Sequence, residues 1–172
     1  MRLTGRKSFI TGAAKGIGLS VARAFAAEGA AVALADISEE ESKKQSLEIK
    51  ETYGVDAIGV KCDVGDTISV QNAIRETSEA FNGLDTIACM AATLTERLDV
   101  VDLPEDEWNR TLNVNLTGSF LVCKHGIPFL REAGGGSIIL TASQMGQVAW
   151  PGSTAYCTTK GGILQLVKGI AL

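Results

Sequence analysis

Tyr156-Cys157-Thr158-Thr159-Lys160 places a phenol and an ammonium four residues apart, one turn along the same face of a helix. A free tyrosine titrates near pH 10, too high for a base at neutrality, and a lysine cation a few ångströms away favours the phenolate. Such a pair suits proton transfer to or from a substrate oxygen. Taken alone the spacing is commonplace and more often marks a solvated surface pair. Its surroundings point further. Ser143 lies thirteen residues upstream of Tyr156, where a hydroxyl could hold a substrate oxygen. Asn115 lies in Asn113-Val114-Asn115-Leu116-Thr117-Gly118, where a side-chain amide or a local helix distortion could support a water near the lysine. Gln144, Met145, Gln147 and Trp150 sit between the serine and the tyrosine, either lining a pocket or packing as ordinary loop residues.

A second chemistry is written in Thr11-Gly12-Ala13-Ala14-Lys15-Gly16-Ile17-Gly18. Glycines between a strand and a helix allow a tight turn and remove the Cβ atoms that would keep a pyrophosphate from the backbone N–H groups. The phosphate then faces the positive end of the helix dipole. Asp36 closes the next apolar run and could accept hydrogen bonds from adenosine ribose hydroxyls while repelling the 2′-phosphate of NADP. Ile37 follows it, so no adjacent cation offers to hold that phosphate. Lys15 leans the other way, but the acid should dominate, which favours NAD. A strand-end aspartate that simply caps the next helix is the competing explanation. Asp63, before Val64, could meet the adenine amine or equally cap the helix that starts near Thr67.

These residues need a scaffold, and the chain alternates short apolar runs with helical patterns. Lys7–Thr11, Ala31–Asp36, Ala57–Asp63, Thr86–Met90 and Ser137–Thr141 read as strands. They are apolar at consecutive positions, as strands covered on both faces are. Ile17–Glu28 carries Ile17, Val21, Ala24, Phe25 and Glu28 at helical spacing, with Gly29 as its stop. Ser38–Glu51 and Thr67–Phe81 are the next crossover helices. Pro104 suits the first helical position before Glu105-Asp106-Glu107, and that helix could run past Asn115 towards Leu130. The β-α-β-α repetition implies an α/β fold with a doubly wound parallel sheet.

Composition excludes several alternatives. The 172 residues fit one domain, and 16 Lys+Arg against 20 Asp+Glu give a net charge of −4. That balance disfavours nucleic acid and polybasic membrane anchoring, and aromatics at 5% are too few for a base-stacking platform. No targeting segment or apolar stretch of membrane-spanning length is present, so a soluble, cytoplasmic protein is expected. Cys62, Cys89, Cys123 and Cys157 form no CxxC and pair with no histidine at ligand spacing, so they read as reduced thiols. His125, the single histidine, reads as an ordinary helix residue. No metal site is expected.

Thr11-x-x-x-Gly16-x-Gly18 with Gly12, Asp36, Asp63-Val64, Asn115, Ser143 and Tyr156-x-x-x-Lys160 together resemble the single-domain, NAD(P)-dependent short-chain dehydrogenase/reductases. The similarity extends over essentially all 172 residues. One segment departs: where the family usually has Asn-Asn-Ala-Gly, this chain reads Cys89-Met90-Ala91-Ala92 and matches only at Ala91. The resemblance implies a Rossmann-like domain over residues 1–172 with strand order 3-2-1-4-5. It implies Tyr156 as acid/base, with Lys160 tuning it and binding the nicotinamide ribose. Ser143 would position the carbonyl or carbinol, and Asn115 would anchor a water-linked proton relay. Gly12, Lys15, Gly16, Ile17, Gly18, Asp36, Ile37, Asp63, Val64 and Ala91 would bind the cofactor, together with Tyr156 and Lys160.

The implied reaction is NAD-dependent interconversion of a secondary alcohol and a ketone. A shortened, non-catalytic dinucleotide-binding or interaction module is the alternative, and a sugar-nucleotide epimerase is a weaker third. Family members usually run to about 250 residues, so a truncated or partial sequence lacking the sixth and seventh strands is expected, with the fifth strand left as a bare edge. The helices Pro104–Leu130 and Tyr156–Leu172 commonly pack across a two-fold axis in this family, which implies a homodimer or homotetramer.

Overall fold

The computed structural model describes residues 1–171. Five strands, β1 (Lys7–Thr11), β2 (Ala31–Asp36), β3 (Ala57–Lys61), β4 (Thr86–Cys89) and β5 (Ser137–Leu140), alternate with helices. They form one parallel sheet in the order β3-β2-β1-β4-β5, the doubly wound arrangement expected. Thr11 pairs with Ala35 on one side and Cys89 on the other, so the carboxyl ends of β1, β2 and β4 finish level. The chain reverses direction across the sheet between β1 and β4, and a crevice forms where the two crossovers part.

Each face of the sheet is covered by its own cluster. Ile10, Val32 and Leu34 pack with Ala22 and Ala26 of α1 (Gly16–Ala27) and Ile49 of α2 (Glu39–Tyr53). Phe9, Ala33, Val60 and Ile87 pack with Val70, Ile74 and Phe81 of α3 (Thr67–Phe81) and Leu121, Val122 and Leu130 of α5 (Gly118–Glu132). Asp66 caps α3 by accepting from Ser69 N at 2.6 Å, and the helix leaves through Asn82 in the left-handed region, φ 53°. α4 (Glu105–Leu112) runs into α5 through a wide turn over Asn113–Thr117, where Gly118 N bonds to Asn113 O. α6 (Thr154–Ala171) carries the tyrosine and lysine.

Four expectations are corrected. The buried stripe of α1 is Gly18-Ala22-Ala26, not the one through Ile17, which is 72% exposed: small residues let the helix lie close to the sheet and turn Ile17 outwards. Pro104 occupies the position before the first helical turn rather than within it, with φ −62° and ψ 141°. β3, β4 and β5 end short of Asp63, Met90 and Thr141, releasing those three residues from the ladder. β5 is not covered on both faces, since Ile138 and Leu140 pack inwards while Ser137 and Ile139 are exposed. Among the described residues no helix is long and apolar enough to cross a membrane.

Candidate active site

The glycine turn is built against the end of β4. Thr11 Oγ1 accepts the N–H groups of Met90 and Ala91, both at 3.1 Å. Gly12 has φ +64°, and a Cβ there would stand 2.7 Å from Ala91 Cα. A Cβ on Gly18 would collide with the Gly12 carbonyl. These two glycines therefore serve the close packing of turn, strand and helix. The first turn of α1 has no side-chain cap and no acidic residue, so its N–H groups and positive dipole end are available to an anion. A pyrophosphate fits this cradle.

Asp36 projects from the end of β2 into the same crevice. Its Oδ2 accepts Ala14 N at 3.1 Å and its Oδ1 accepts Ser38 N at 3.0 Å. The carboxylate thus ties the glycine turn to the start of α2 while presenting its remaining lone pairs outwards. Asp63 Oδ1 accepts Gly65 N at 2.9 Å, and the α3 cap belongs to Asp66. Capping by Asp63, one of its two readings, is set aside.

The crevice has a volume of about 480 Å³. Gly12, Lys15, Ile17, Gly18, Asp36, Ile37, Asp63, Val64, Ala91 and Tyr156 all line it. Gly16, Asn115, Ser143 and Lys160 are not part of that lining. A somewhat larger hollow, about 530 Å³, opens at the opposite end of the sheet between Lys7, Arg75, Asp85 and Glu132; it contains none of the motif residues.

Lys160 stands behind Tyr156. It is only 3% exposed, its Nζ donates to Thr141 O at 2.7 Å, and it lies 5.6 Å from the centroid of the Tyr156 ring. Burial holds the ammonium below the ordinary lysine pKa. Asn115, 1% exposed, is spent on a neighbouring loop: its Oδ1 accepts Thr93 N at 2.7 Å and its Nδ2 donates to Thr93 O at 3.0 Å. The helix distortion foreseen at Asn115 is present as the wide turn, while the amide side chain is committed. Asn115 Nδ2 also reaches Thr159 Oγ1 at 3.4 Å, and that hydroxyl donates to Tyr156 O at 2.8 Å, so Asn115 braces the helix that carries the pair.

Ser143 Oγ accepts Met145 N at 3.1 Å and caps the short turn Gln144–Gly146. Arg97 lies over Trp150 at 5.6 Å, and Leu98 N donates to Gly152 O at 3.1 Å. The loop after β4 is thereby joined to the loop before α6. Ala92 stands where the resemblance places glycine, and its backbone needs no positive φ.

Several participants carried no sequence signal. Thr93, Thr159 and Thr141 are ordinary polar residues with a partner far away in the chain, and Leu94 and Val114 join the lining. The four cysteines are free, and burial pushes the Cys62 thiol up to about 12. Burial also lowers the His125 pKa, and that residue does not line the crevice. Among the described residues no group of three or more His, Cys, Asp or Glu side chains gathers to hold a metal.

Known proteins match this arrangement along its length. A family model described as enoyl-(acyl carrier protein) reductase matches residues 12–172. The 2,5-dichloro-2,5-cyclohexadiene-1,4-diol dehydrogenase of Sphingobium indicum is 38% identical over 171 residues, covering 99% of this chain and 68% of that protein. The D-threitol dehydrogenase of Mycolicibacterium smegmatis is 35% identical over 170 residues, covering 99% and 65%. A solved structure of a candidate short-chain alcohol dehydrogenase from Sinorhizobium meliloti 1021 superposes with a TM-score of 0.93 at 29% identity, covering 98% of this chain and 66% of that one. The chain spans about two thirds of the length of these relatives. Glycine turn, sheet order and sequence matches converge: the chain belongs to the short-chain dehydrogenase/reductase family.

Proposed function

We propose that this chain carries the cofactor-binding and proton-transfer machinery of an NAD-dependent oxidoreductase that interconverts a secondary alcohol and a ketone. One observation carries the reading: Tyr156 lines the same crevice as Gly12, Gly18 and Asp36, with the Lys160 ammonium buried 5.6 Å from its ring. The bound cofactor supplies a hydride acceptor or donor at its nicotinamide carbon.

The chain's own groups do the rest. Gly12, Gly16 and Gly18 bring backbone N–H groups to the pyrophosphate at the start of α1. Lys15 and Ile17 flank it. Asp36, already oriented by Ala14 N and Ser38 N, accepts the ribose hydroxyls and disfavours a 2′-phosphate, which supports NAD over NADP. Ile37, Asp63, Val64 and Ala91 wall the adenosine side.

During oxidation the Tyr156 oxygen takes the carbinol proton, and during reduction the phenol returns it to the carbonyl oxygen. Lys160 offers its positive field to the negative charge that develops on that oxygen and holds the nicotinamide ribose. Ser143 Oγ accepts only one N–H bond, which leaves its own proton for a substrate oxygen. At Asn115 the widened helix turn, rather than the committed amide, supports the water of a proton relay. A homo-oligomer would pack through α5 and α6, where Phe120 and Val167 are exposed apolar residues.

The test follows NADH absorbance with a panel of secondary alcohols and ketones, alongside NADH binding. Tyr156→Phe is expected to bind NADH and lose turnover; turnover retained in that variant would refute the assignment.

A further inference from the structure

An unbroken series of hydrogen bonds runs across the crevice end of the sheet, from the glycine turn to the buried lysine. Thr11 Oγ1 accepts Met90 N at 3.1 Å, Met90 Sδ accepts the Thr141 hydroxyl at 3.0 Å, and Thr141 O accepts Lys160 Nζ at 2.7 Å. Each joint passes to the next element, from β1 to the residue after β4, then to the residue after β5, then to α6. The middle joint is peculiar in its chemistry. A thioether accepts and never donates, so the Thr141 hydroxyl must aim its proton at the Met90 sulfur. Thr141 is β-branched and stiff about its first torsion, so a hydroxyl held on the Met90 sulfur ties the Thr141 Cα to the residue after β4, and with it the residue whose carbonyl accepts Lys160 Nζ.

That carbonyl matters because of what it holds. Among the described residues it is the one protein acceptor bonded to the Lys160 ammonium, in a side chain only 3% exposed. Where it points therefore decides where the charge sits relative to the Tyr156 ring, 5.6 Å away. We propose that Met90 and Thr141 form a latch that positions Lys160 behind Tyr156, which makes both of them positioning residues for proton transfer. The proposal rests on the proton-transfer reading above and assigns a use to the Met90 position, one of the places where the chain departs from its family's usual segment.

Three substitutions separate the latch from simple packing. Met90→Leu keeps the volume and removes the acceptor, Met90→Gln supplies an acceptor at similar length, and Thr141→Val removes the hydroxyl but keeps the branch and the carbonyl. Met90→Leu and Thr141→Val are each expected to lower kcat roughly threefold to tenfold, the effect of one lost hydrogen bond, with little change in KM. The double variant should be no slower than the worse single one, because both changes break the same bond. Met90→Gln should recover most of the loss.

A second readout needs no turnover. In protein labelled with carbon-13 lysine, the Lys160 Cε resonance is identified by its loss in Lys160→Arg. It should move in Met90→Leu and Thr141→Val and return in Met90→Gln. A resonance that stays in place in both single variants, or losses that multiply in the double variant, would overturn the latch. If Tyr156→Phe keeps its turnover, the proton-transfer reading fails while the resonance still judges the latch; if Tyr156→Phe is dead and the resonance does not move, the latch alone fails.

Discussion

The two flanks of the sheet are held in different ways. On the β2 flank, Val32 to Ala35 are fully buried and the Asp36 carboxylate is fixed by two backbone N–H groups. On the β5 flank the edge strand shows Ile139 at 41% exposure. There the loops are joined by single contacts, Leu98 to Gly152 and Arg97 to Trp150. Under the proposed function, the first flank would bind through backbone geometry: glycines without Cβ atoms, free N–H groups and a helix end. The second would do its chemistry with side chains carried on α6 and on loops. Such groups depend on a few specific bonds, so single changes there should alter rate more than cofactor affinity, Lys160 excepted because it is also assigned to the nicotinamide ribose.

The largest break in this contrast comes from Tyr156→Phe, which should lower turnover by about 10²–10⁴-fold with NADH binding intact. Core truncations should show the same asymmetry in stability. Leu34→Ala, at a fully buried β2 position, should cost about 2–5 kcal/mol, and Ile139→Ala on exposed β5 well under that, both read by urea unfolding. Asp36→Asn removes the charge from the binding flank. It should weaken NADH by roughly tenfold, as losing a hydrogen bond to a charged group does, and narrow the preference over NADPH, as measured by fluorescence titration.

Lys160 tests the other flank through pH. Its folded pKa is depressed by burial, so the unfolded chain binds the extra proton. Stability is therefore reduced at neutral pH, and the deficit closes as pH rises from the lowered folded value to the ordinary lysine value. Lys160→Met should unfold at a higher temperature than the parent at pH 7, with the advantage shrinking towards pH 10, and it should lose turnover. The smallest effect is expected from Ile139→Lys, which should change stability by no more than about 0.5 kcal/mol while reducing aggregation at the sheet edge, as followed by light scattering.

Much of this was legible in the residue order. Five apolar runs marked five strands, Thr67–Phe81 marked α3 to the residue, and Gly12, Gly18 and Asp36 marked positions that now line one crevice. The α1 stripe was misread because helical spacing alone does not say which face meets the sheet. Ile17, placed both on the helical stripe and among the cofactor residues, lines the crevice and is exposed, while Gly18, Ala22 and Ala26 meet the sheet. β5 looked buried because Ser-Ile-Ile-Leu is apolar, yet burial depends on what lies beside a strand rather than on its own residues.

The site divides along the same line. Short-range requirements are written locally: a turn that tolerates no Cβ, an acid at a strand end, and a phenol and an amine one helical turn apart. Those the residue order determined by itself. Which side chain meets which across the fold was settled only by tertiary packing. Asn115 on Thr93, Met90 on Thr141 and Thr141 on Lys160 join residues 19 to 51 positions apart. Such bonds are selected by directional geometry between whole elements, and no local spacing encodes that geometry.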